Sequence, residues 1–218
     1  MKYAAGHRSG MDMEGLDEIA VGAEGSVYRT EFLGRRAILK VRSPKGYRAP
    51  ELDSRIRSLR IRSEARLIRD ARRAGIRTPM IYWVDPAAGE MIMEDMGGET
   101  VKKHLDEHPE DADAICREIG RDVALLHNAR IAHGDLTTSN MLISGGKICF
   151  IDFSMGVSLA ETEDMGVDIR LLERAFSSAH PNLTHAYGEL IDSYCRVKTQ
   201  PSLVMDKVRE IKERGRYT

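Results

Sequence analysis

Two short segments carry oxygen-bearing side chains at a spacing that suits phosphoryl transfer. Residues 133–140 read HGDLTTSN, and Asp152 follows Asn140 by twelve residues. Asp135 can orient a hydroxyl or a water for attack, while Asn140 and Asp152 hold Mg²⁺ against nucleotide phosphates. Amide and carboxylate oxygens suit Mg²⁺, which takes its other ligands from waters and phosphates. The spacing therefore predicts a magnesium–nucleotide site.

The pattern around these residues predicts the elements that position them. Apolar residues repeat at helical spacing over 113–128, and 141–143 and 147–151 have the composition of two strands joined by the turn 144–146. Asn140 and Asp152 then stand at the two ends of a hairpin. An ordinary polar turn is the alternative, because turns favour Gly, Asp, Thr, Ser and Asn. The surrounding elements favour the magnesium site.

Length and composition suit one domain or two small lobes. The chain has 218 residues, of which 42% are hydrophobic and 31% charged, as in ordinary soluble proteins. No apolar run has the length needed to cross a bilayer, and residues 1–10 lack the apolar stretch of a signal peptide. We therefore expect no membrane partner and a cytoplasmic location. Three widely spaced cysteines, Cys116, Cys149 and Cys195, suit neither a disulfide framework nor a zinc site and are predicted to be reduced core thiols.

Charge is segregated along the chain. Residues 35–77 contain 15 Lys and Arg against four Asp and Glu, a net charge of +11, and the other residues contain 18 against 30, a net charge of −12. The basic stretch predicts a surface for phosphate-rich RNA. The alternative is a solvated helix face whose arginines pair locally or with the acidic remainder.

The amino-terminal part is predicted to form an antiparallel sheet with strands near 19–21, 26–29, 37–41, 80–84 and 91–93. The first turn, Gly22, Ala23, Glu24 and Gly25, brings small residues and backbone N–H groups together, as an anion-binding turn requires. A plain hairpin is the alternative. Lys40, fifteen residues beyond Gly25, can bind the α- and β-phosphates if a carboxylate holds it.

Glu64 is the candidate carboxylate. It lies in an arginine-rich predicted helix over about 53–74, closed by Gly75 and Pro79. We expect a Lys40–Glu64 ion pair; the alternative is two unrelated surface charges. The apolar contacts of this helix are predicted to come from Leu59, Ala65, Leu67, Ile68 and Ala71.

The stretch 94–98 is polar and glycine-rich, which predicts a connector between an N-lobe (1–94) and a C-lobe (95–218). A cleft at this joint would seat a nucleotide base. Beyond the connector, helices are predicted from Thr100 to Leu105 and over 165–178, 182–195 and 202–213.

With Lys40, Glu64, Asp135, Asn140 and Asp152 in this order, the chain resembles the protein-kinase superfamily over about 16–178. Further motifs resemble the small kinase subunit of the KEOPS (EKC) complex. These motifs are KGYR (45–48), PELD (50–53), EAR (64–66), HGDLTTSN (133–140), ED (163–164) with VD (167–168), and RGR (214–216).

The resemblance implies an α+β, protein-kinase-like, two-lobed fold. Its small N-lobe would hold an antiparallel sheet and one main helix, and its reduced C-lobe would be mainly helical. It also implies an atypical serine/threonine kinase with Mg-ATPase activity. The implied partners are a metal-containing transferase that makes threonylcarbamoyladenosine on tRNA, the other KEOPS subunits and, through the complex, tRNA itself.

The resemblance also assigns roles to individual residues, with ATP and Mg²⁺ as ligands. The phosphate turn would cover the phosphates, and the connector would supply backbone hydrogen bonds to adenine. The implied roles are Lys40 on the phosphates, Glu64 bracing it, Asp135 as base, Asn140 and Asp152 on Mg²⁺, Gly22, Ala23, Glu24 and Gly25 over the phosphates, and Glu94 and Met96 beside adenine.

Several residues depart from the kinase pattern. Ser154 replaces the glycine after Asp-Phe, which predicts a less mobile segment. Gly134 replaces an arginine that reads activation-loop phosphorylation, and Thr137 replaces a lysine that assists phosphate transfer. Only sixteen positions separate Asp152 from Asp168, which resembles the buried aspartate under the catalytic loop, and no Ala-Pro-Glu element lies between them. This short segment favours nucleotide hydrolysis or autophosphorylation over broad protein phosphorylation.

Two other functions stay open. Small-molecule phosphotransferases of the aminoglycoside or choline kinase type share His-Gly-Asp and the asparagine, but usually carry larger acidic helical insertions than this chain has. An inactive kinase-like RNA-binding scaffold would use only the basic stretch, although the intact Lys40, Asp135, Asn140 and Asp152 argue against it. The basic end, 214–218, is predicted to reach the nucleotide site or tRNA, with fraying as the alternative. The helix before it carries an apolar stripe of Leu203, Val204, Val208 and Ile211.

Overall fold

A computed structural model of the chain describes residues 16–22 and 25–214. The residues group into two compact units. The first unit runs up to Arg69 and includes Pro79–Asp95, and the second comprises Asp70–Thr78 and the chain from Met96 onward. None of the helices in the two described ranges combines the length and the hydropathy that a membrane span requires.

The first unit is a five-stranded antiparallel sheet with one long helix, in the strand order β1-β2-β3-β5-β4. The predicted strands are confirmed; four are extended by one or more residues, and the strand predicted over 80–84 is shifted by one residue to Ile81–Asp85. The buried apolar centre of the sheet is formed by Ala37, Leu39 and Ile92. The elements are β1 (Asp17–Gly22), β2 (Gly25–Phe32), β3 (Arg35–Val41), α1 (Pro50–Arg73), β4 (Ile81–Asp85) and β5 (Glu90–Glu94).

Helix α1 begins three residues before its predicted start, because Pro50 supplies a backbone angle suited to the first helical position. Gly75, with φ of +91°, follows its end in the left-handed conformation that commonly closes a helix. Burial confirms the predicted contacts of Leu67 and Ile68. The prediction for Leu59 is wrong, since its side chain is 59% exposed. Leu59 lies on the side of α1 opposite the buried residues.

The second unit is mainly helical, and α3 packs along α5. Gly120 of α3 permits this approach, because a Cβ there would lie 2.1 Å from the carbonyl oxygen of Leu190. The helices agree with the predicted ones to within three residues at each end. The elements are β6 (Glu99–Thr100), α2 (Val101–Glu107), α3 (Ala112–Asn128), β7 (Ile131–Ala132), β8 (Met141–Ser144), β9 (Lys147–Phe150), β10 (Val157–Ser158), α4 (Thr162–Ala179), α5 (Thr184–Val197) and α6 (Pro201–Arg214).

The apolar stripe of helix α6 is buried only in part. Val204 and Val208 are buried, whereas Leu203 is 52% exposed. Arg214 pairs with Glu163 of α4 at 2.8 Å. Residues 215–218, which carry the rest of the predicted basic end, lie outside the described residues.

The three cysteines are free thiols. Cys116 and Cys149 are buried as predicted, and Cys195 is partly buried. Burial raises the pKa of the Cys116 thiol to about 12, which keeps it protonated and unreactive at neutral pH.

Candidate active site

The hairpin of β8 and β9 brings Asn140 and Asp152 to one place. Met141 pairs with Phe150 across the two strands. Just beyond this pair, the N–H of Ile151 donates to the carbonyl of Asn140 at 3.0 Å. Asn140, just before β8, and Asp152, just after β9, therefore lie at the same end of the hairpin.

Asn140 is oriented by the aspartate five residues earlier. Its Nδ2 donates to the backbone carbonyl of Asp135 at 2.9 Å and to the Asp135 carboxylate Oδ2 at 2.8 Å. The amide oxygen is then the atom left to bind a cation, and among the described residues it accepts no hydrogen bond. Together with the carboxylate of Asp152, it supplies the hard oxygen donors that Mg²⁺ requires. The residues present therefore fit a magnesium ion.

Asp152 has a backbone conformation that non-glycine residues seldom adopt, with φ of +60°. Two contacts hold it there. Its Oδ1 accepts a hydrogen bond from the N–H of Ser154 at 3.2 Å, and the next residue, Phe153, is fully buried against the ring of His133. Strained conformations of this kind cluster at functional sites. Ser154 has no left-handed φ, so its position needs no glycine.

His133 links the catalytic segment to the end of β9. Its Nε2 lies 3.0 Å from the carbonyl of Ile151, and its Nδ1 lies 3.4 Å from the N–H of Asp135. Because a carbonyl only accepts, Nε2 must carry the proton, and Nδ1 is then free to accept from Asp135. Burial lowers the pKa of His133, which agrees with this neutral form.

Asp168 of α4 holds the start of the catalytic segment, as the resemblance implied. Its buried carboxylate accepts from the backbone N–H groups of His133 at 2.5 Å and Gly134 at 2.7 Å. The same carboxylate contacts His127 Nε2 at 3.3 Å, and His127 Nδ1 lies 2.9 Å from the Tyr194 hydroxyl. Burial raises the pKa of Tyr194, so its hydroxyl stays protonated and donates to His127. Helices α3, α4 and α5 thus hold one loop.

The other end of the segment is anchored to the same helix. Thr138 is buried, and its hydroxyl lies 3.1 Å from His180 Nε2 at the carboxyl end of α4. Asp168 and His180 therefore fix both ends of the loop that presents Asp135. Sequence reasoning missed His127, Tyr194 and His180. Their contacts join residues that are more than forty positions apart and meet only in the tertiary fold.

Gly134 stands where many kinases have an arginine, and the structure gives the reason. Its φ is +81°, and a Cβ at this position would lie 2.1 Å from the backbone oxygen of Met155. No side chain fits there without moving the backbone. The loop therefore has no place for a residue that reads activation-loop phosphorylation at this position.

We expect Gly134→Ala to lower the free energy of unfolding by about 2–4 kcal/mol, because a left-handed alanine and a backbone clash add up. Urea unfolding measures the change. Gly145→Ala is the matched control, since Gly145 also has a positive φ, +56°, but has open space around it. A cost no greater than that of Gly145→Ala would contradict the close approach to Met155.

The predicted ion pair is present in the first unit. Lys40 Nζ lies 2.5 Å from Glu64 Oε1, and Glu64 is fully buried. Arg42 also binds this carboxylate, at 2.7 Å from Oε2. Glu64 thus holds two cations rather than one. The sequence contained a signal for Arg42, because it directly follows β3 two positions after Lys40, and residues two apart in extended chain face the same side.

The strand register places Lys40 near the predicted phosphate turn. Lys40 pairs with Val27 of β2 and Met91 of β5, and Gly22 pairs with Gly25 at the turn itself. A Cβ on Gly25 would lie 2.0 Å from the carbonyl oxygen of Val41, so β2 approaches β3 closely there. Ala23 and Glu24, the two residues between these glycines, lie outside the described residues.

The two predicted adenine contacts lie at the connector. Glu94 ends β5, and its N–H donates to the carbonyl of Met80 at 2.8 Å. Met96 follows the connector's aspartate, and its carbonyl accepts from the Ser144 hydroxyl at 2.6 Å. The Met96 N–H donates to no other described residue, so it is available to an acceptor such as a purine nitrogen.

Comparison with known proteins places the chain in a family. A family model described as the RIO domain matches residues 39–186, which is most of the chain. The chain belongs to the RIO-domain family. KEOPS complex subunit Bud32 of Pyrococcus abyssi is 38% identical, with 91% of this chain and 95% of the relative covered. EKC/KEOPS complex subunit bud32 of Dictyostelium discoideum is 37% identical, with 92% and 84% covered. The resemblance to KEOPS small kinase subunits is confirmed.

Another relative is longer. It is the probable bifunctional tRNA threonylcarbamoyladenosine biosynthesis protein of Methanothermobacter thermautotrophicus, 42% identical over 203 residues. The alignment covers 93% of this chain but only 37% of that relative. The chain thus spans little more than a third of this relative's length.

Solved structures confirm the fold class. The Rio2 kinase from Chaetomium thermophilum, in an ADP/Mg²⁺-phosphoaspartate complex, has a TM-score of 0.62 at 15% identity, with 90% of this chain and 71% of that chain covered. WaaP in complex with acyl carrier protein has a TM-score of 0.61 at 16% identity, with 90% and 88% covered. The fold is protein-kinase-like, with an antiparallel-sheet unit and a mainly helical unit, as predicted.

Proposed function

We propose that the chain is an atypical serine/threonine kinase and Mg-ATPase that supports threonylcarbamoyladenosine modification of tRNA as a subunit of a KEOPS complex. The arrangement of Asp135, Asn140 and Asp152 carries this proposal. Asn140 is held by Asp135 with its amide oxygen available, and it enters the hairpin where Asp152 leaves. Phosphoryl transfer needs this combination of a base and two oxygen ligands.

Each residue has a distinct task in the proposed reaction. Asp135 orients the attacking water or hydroxyl and accepts its proton, and it is exposed enough to meet either. Lys40, held by Glu64, binds the α- and β-phosphates of ATP. Asn140 and Asp152 would hold Mg²⁺, which neutralises charge on the phosphate oxygens when bound. Because Asp168 and His180 fix the loop, Asp135 is positioned before the substrate arrives.

The short segment after Asp152 favours ATP hydrolysis or autophosphorylation over phosphorylation of many proteins. It turns at once into β10, whose Val157 and Ser158 pair with β7, and α4 begins at Thr162. The capping box of Glu161 and Asp164 stabilises the start of that helix. Few residues are left to bind a protein substrate.

The names of the relatives support the role in tRNA modification. Relatives named as KEOPS subunits match over most of their length, and the bifunctional relatives are named for threonylcarbamoyladenosine biosynthesis. We propose that this chain works beside a metal-containing threonylcarbamoyl transferase and the other KEOPS subunits. The relatives also favour this function over an aminoglycoside or choline kinase.

ATP turnover tests the proposal. We expect the chain to hydrolyse Mg-ATP, and to do so faster with the transferase partner and unmodified tRNA, but not with aminoglycosides or choline. Mg-ATP at a hundred times its Kd should also stabilise the folded chain by about 2.7 kcal/mol in a thermal-shift measurement. Stimulation by a small-molecule acceptor alone would favour the phosphotransferase, and neither turnover nor a thermal shift would favour an inactive scaffold.

A further inference from the structure

The outer side of α1 carries a row of exposed arginines. Residues there recur at alternating spacings of three and four, which places them along one side of a helix with 3.6 residues per turn. The buried residues Ile61, Glu64 and Ile68 lie on the other side. The exposed row comprises Leu52, Arg55, Leu59, Arg62, Arg66 and Arg69, and we call its four arginines the arginine stripe.

The positive charge of three stripe residues, Arg55, Arg62 and Arg66, is not neutralised by the helix that carries them. Asp53 and Glu64, two of the four carboxylates of α1, are buried and bound to cations on the inner side. Across residues 16–22 and 25–214, neither Arg55, Arg62 nor Arg66 forms an ion pair or a side-chain hydrogen bond. Among the described residues, these three arginines therefore do not pair with the acidic side chains of the chain.

We propose that the arginine stripe binds the sugar–phosphate backbone of RNA. Arg55 to Arg69 span about 21 Å along the helix at 1.5 Å per residue, with neighbouring stripe positions about 4.5–10 Å apart. A nucleic-acid strand in a duplex carries a phosphate about every 3.4 Å along its axis, so several phosphates lie within reach of these long side chains. The planar guanidinium group binds phosphate oxygens in pairs, which a lysine cannot do.

An RNA backbone fits this surface better than a protein partner does. Protein interfaces are depleted of charge at their centre and bury about 800 Å² on each side. The apolar residues in this row are only Leu52 and Leu59, and both lie towards its amino-terminal end. The inference deepens the proposed function, on which it rests for the identity of the RNA, by naming the surface that contacts it.

Two triple variants of the full chain test the stripe. Each replaces three exposed helical arginines by glutamine, so that both lose the same charge and keep good helix formers. The stripe variant is Arg55→Gln, Arg62→Gln and Arg66→Gln. The control variant is Arg174→Gln, Arg196→Gln and Arg209→Gln, on α4, α5 and α6.

Binding of an unmodified tRNA transcript is measured between 50 and 200 mM salt, conditions over which phosphate contacts are strongly weakened. We expect the stripe variant to bind at least about tenfold more weakly. The slope of log K against log salt is negative, and its magnitude should decrease by about 2, or roughly 0.7 for each lost contact. The control should stay within about twofold of wild type, because its arginines lie outside the stripe. Arginine-to-lysine replacements in the stripe should retain most of the slope.

Equal losses in the two triple variants, or wild-type affinity and slope in the stripe variant, would overturn the inference. So would stripe-dependent binding of poly-glutamate without binding of tRNA, which would indicate an acidic protein partner. If the stripe variant does not fold, Arg62→Gln and Arg66→Gln are measured singly, each with an expected slope change of roughly 0.7. Mg-ATP turnover should be unchanged in the stripe variant. If the wild-type chain itself shows no Mg-ATP turnover, the kinase proposal is refuted, and the RNA-binding result is not affected.

Discussion

Asp152→Asn is expected to lower kcat for Mg-ATP hydrolysis at least about a hundredfold, because loss of one preorganised charge in such a site costs roughly 3 kcal/mol. Asparagine is the informative replacement. Asp152 has φ of +60°, a conformation that asparagine tolerates and alanine does not, so the fold should survive. The variant should also need more Mg²⁺ for half-maximal turnover. Both quantities come from steady-state assays over a range of Mg²⁺ concentrations.

Asp135→Asn separates the base from the metal ligand. Its amide oxygen can still accept the hydrogen bond from Asn140, so Asn140 should stay oriented and the Mg²⁺ requirement should stay near wild type. Turnover should nevertheless fall, since an amide cannot accept the proton. The control is Asp192→Asn, which makes the same charge change at an exposed position on α5. Near-normal turnover in both the Asp152 and Asp135 variants would refute the site.

Local spacing made the centre of the site predictable. Asp135 and Asn140 are five residues apart in one loop, and a short hairpin necessarily returns the chain to Asn140 at Asp152. The prediction of the Lys40–Glu64 pair required only a strand, a helix and the order of the motifs. Each of these inferences depends on chain connectivity over short distances or on a resemblance that covers most of the chain.

The support of the loop was not predictable in the same way. His127 meets Asp168 and Tyr194 across 41 and 67 residues, and such contacts depend on how α3, α4 and α5 pack. Strands β7 and β10 have two residues each, too few to show a periodic pattern. Leu59 was misplaced because an apolar side chain was assumed to be buried, although exposed leucines are common on folded proteins.

Glu64→Gln is expected to lower the free energy of unfolding by about 3–5 kcal/mol, the usual cost of removing one partner from a buried ion pair. The neutral amide keeps the shape of glutamate but removes the negative charge that both Lys40 and Arg42 contact. The side chain of Arg42 is only 2% exposed and that of Lys40 only 12%, so water screens neither well. Denaturant unfolding measures the loss.

Single replacements of Lys40 and Arg42 should separate the contribution to the free energy of unfolding from the contribution to ATP turnover. Arg42→Met removes a buried charge and fills its space, so Glu64 keeps Lys40 and ATP turnover should change little. In that background Glu64→Gln should cost less than in the wild type, because only one of the two cation contacts of Glu64 is then left to lose. Lys40→Met should instead abolish ATP turnover with a smaller effect on the free energy of unfolding, since Lys40 is the cation proposed to bind the phosphates of ATP. If Arg42→Met and Lys40→Met both fold and lose ATP turnover equally, the assignment of Arg42 as the structural cation and Lys40 as the phosphate-binding cation is wrong.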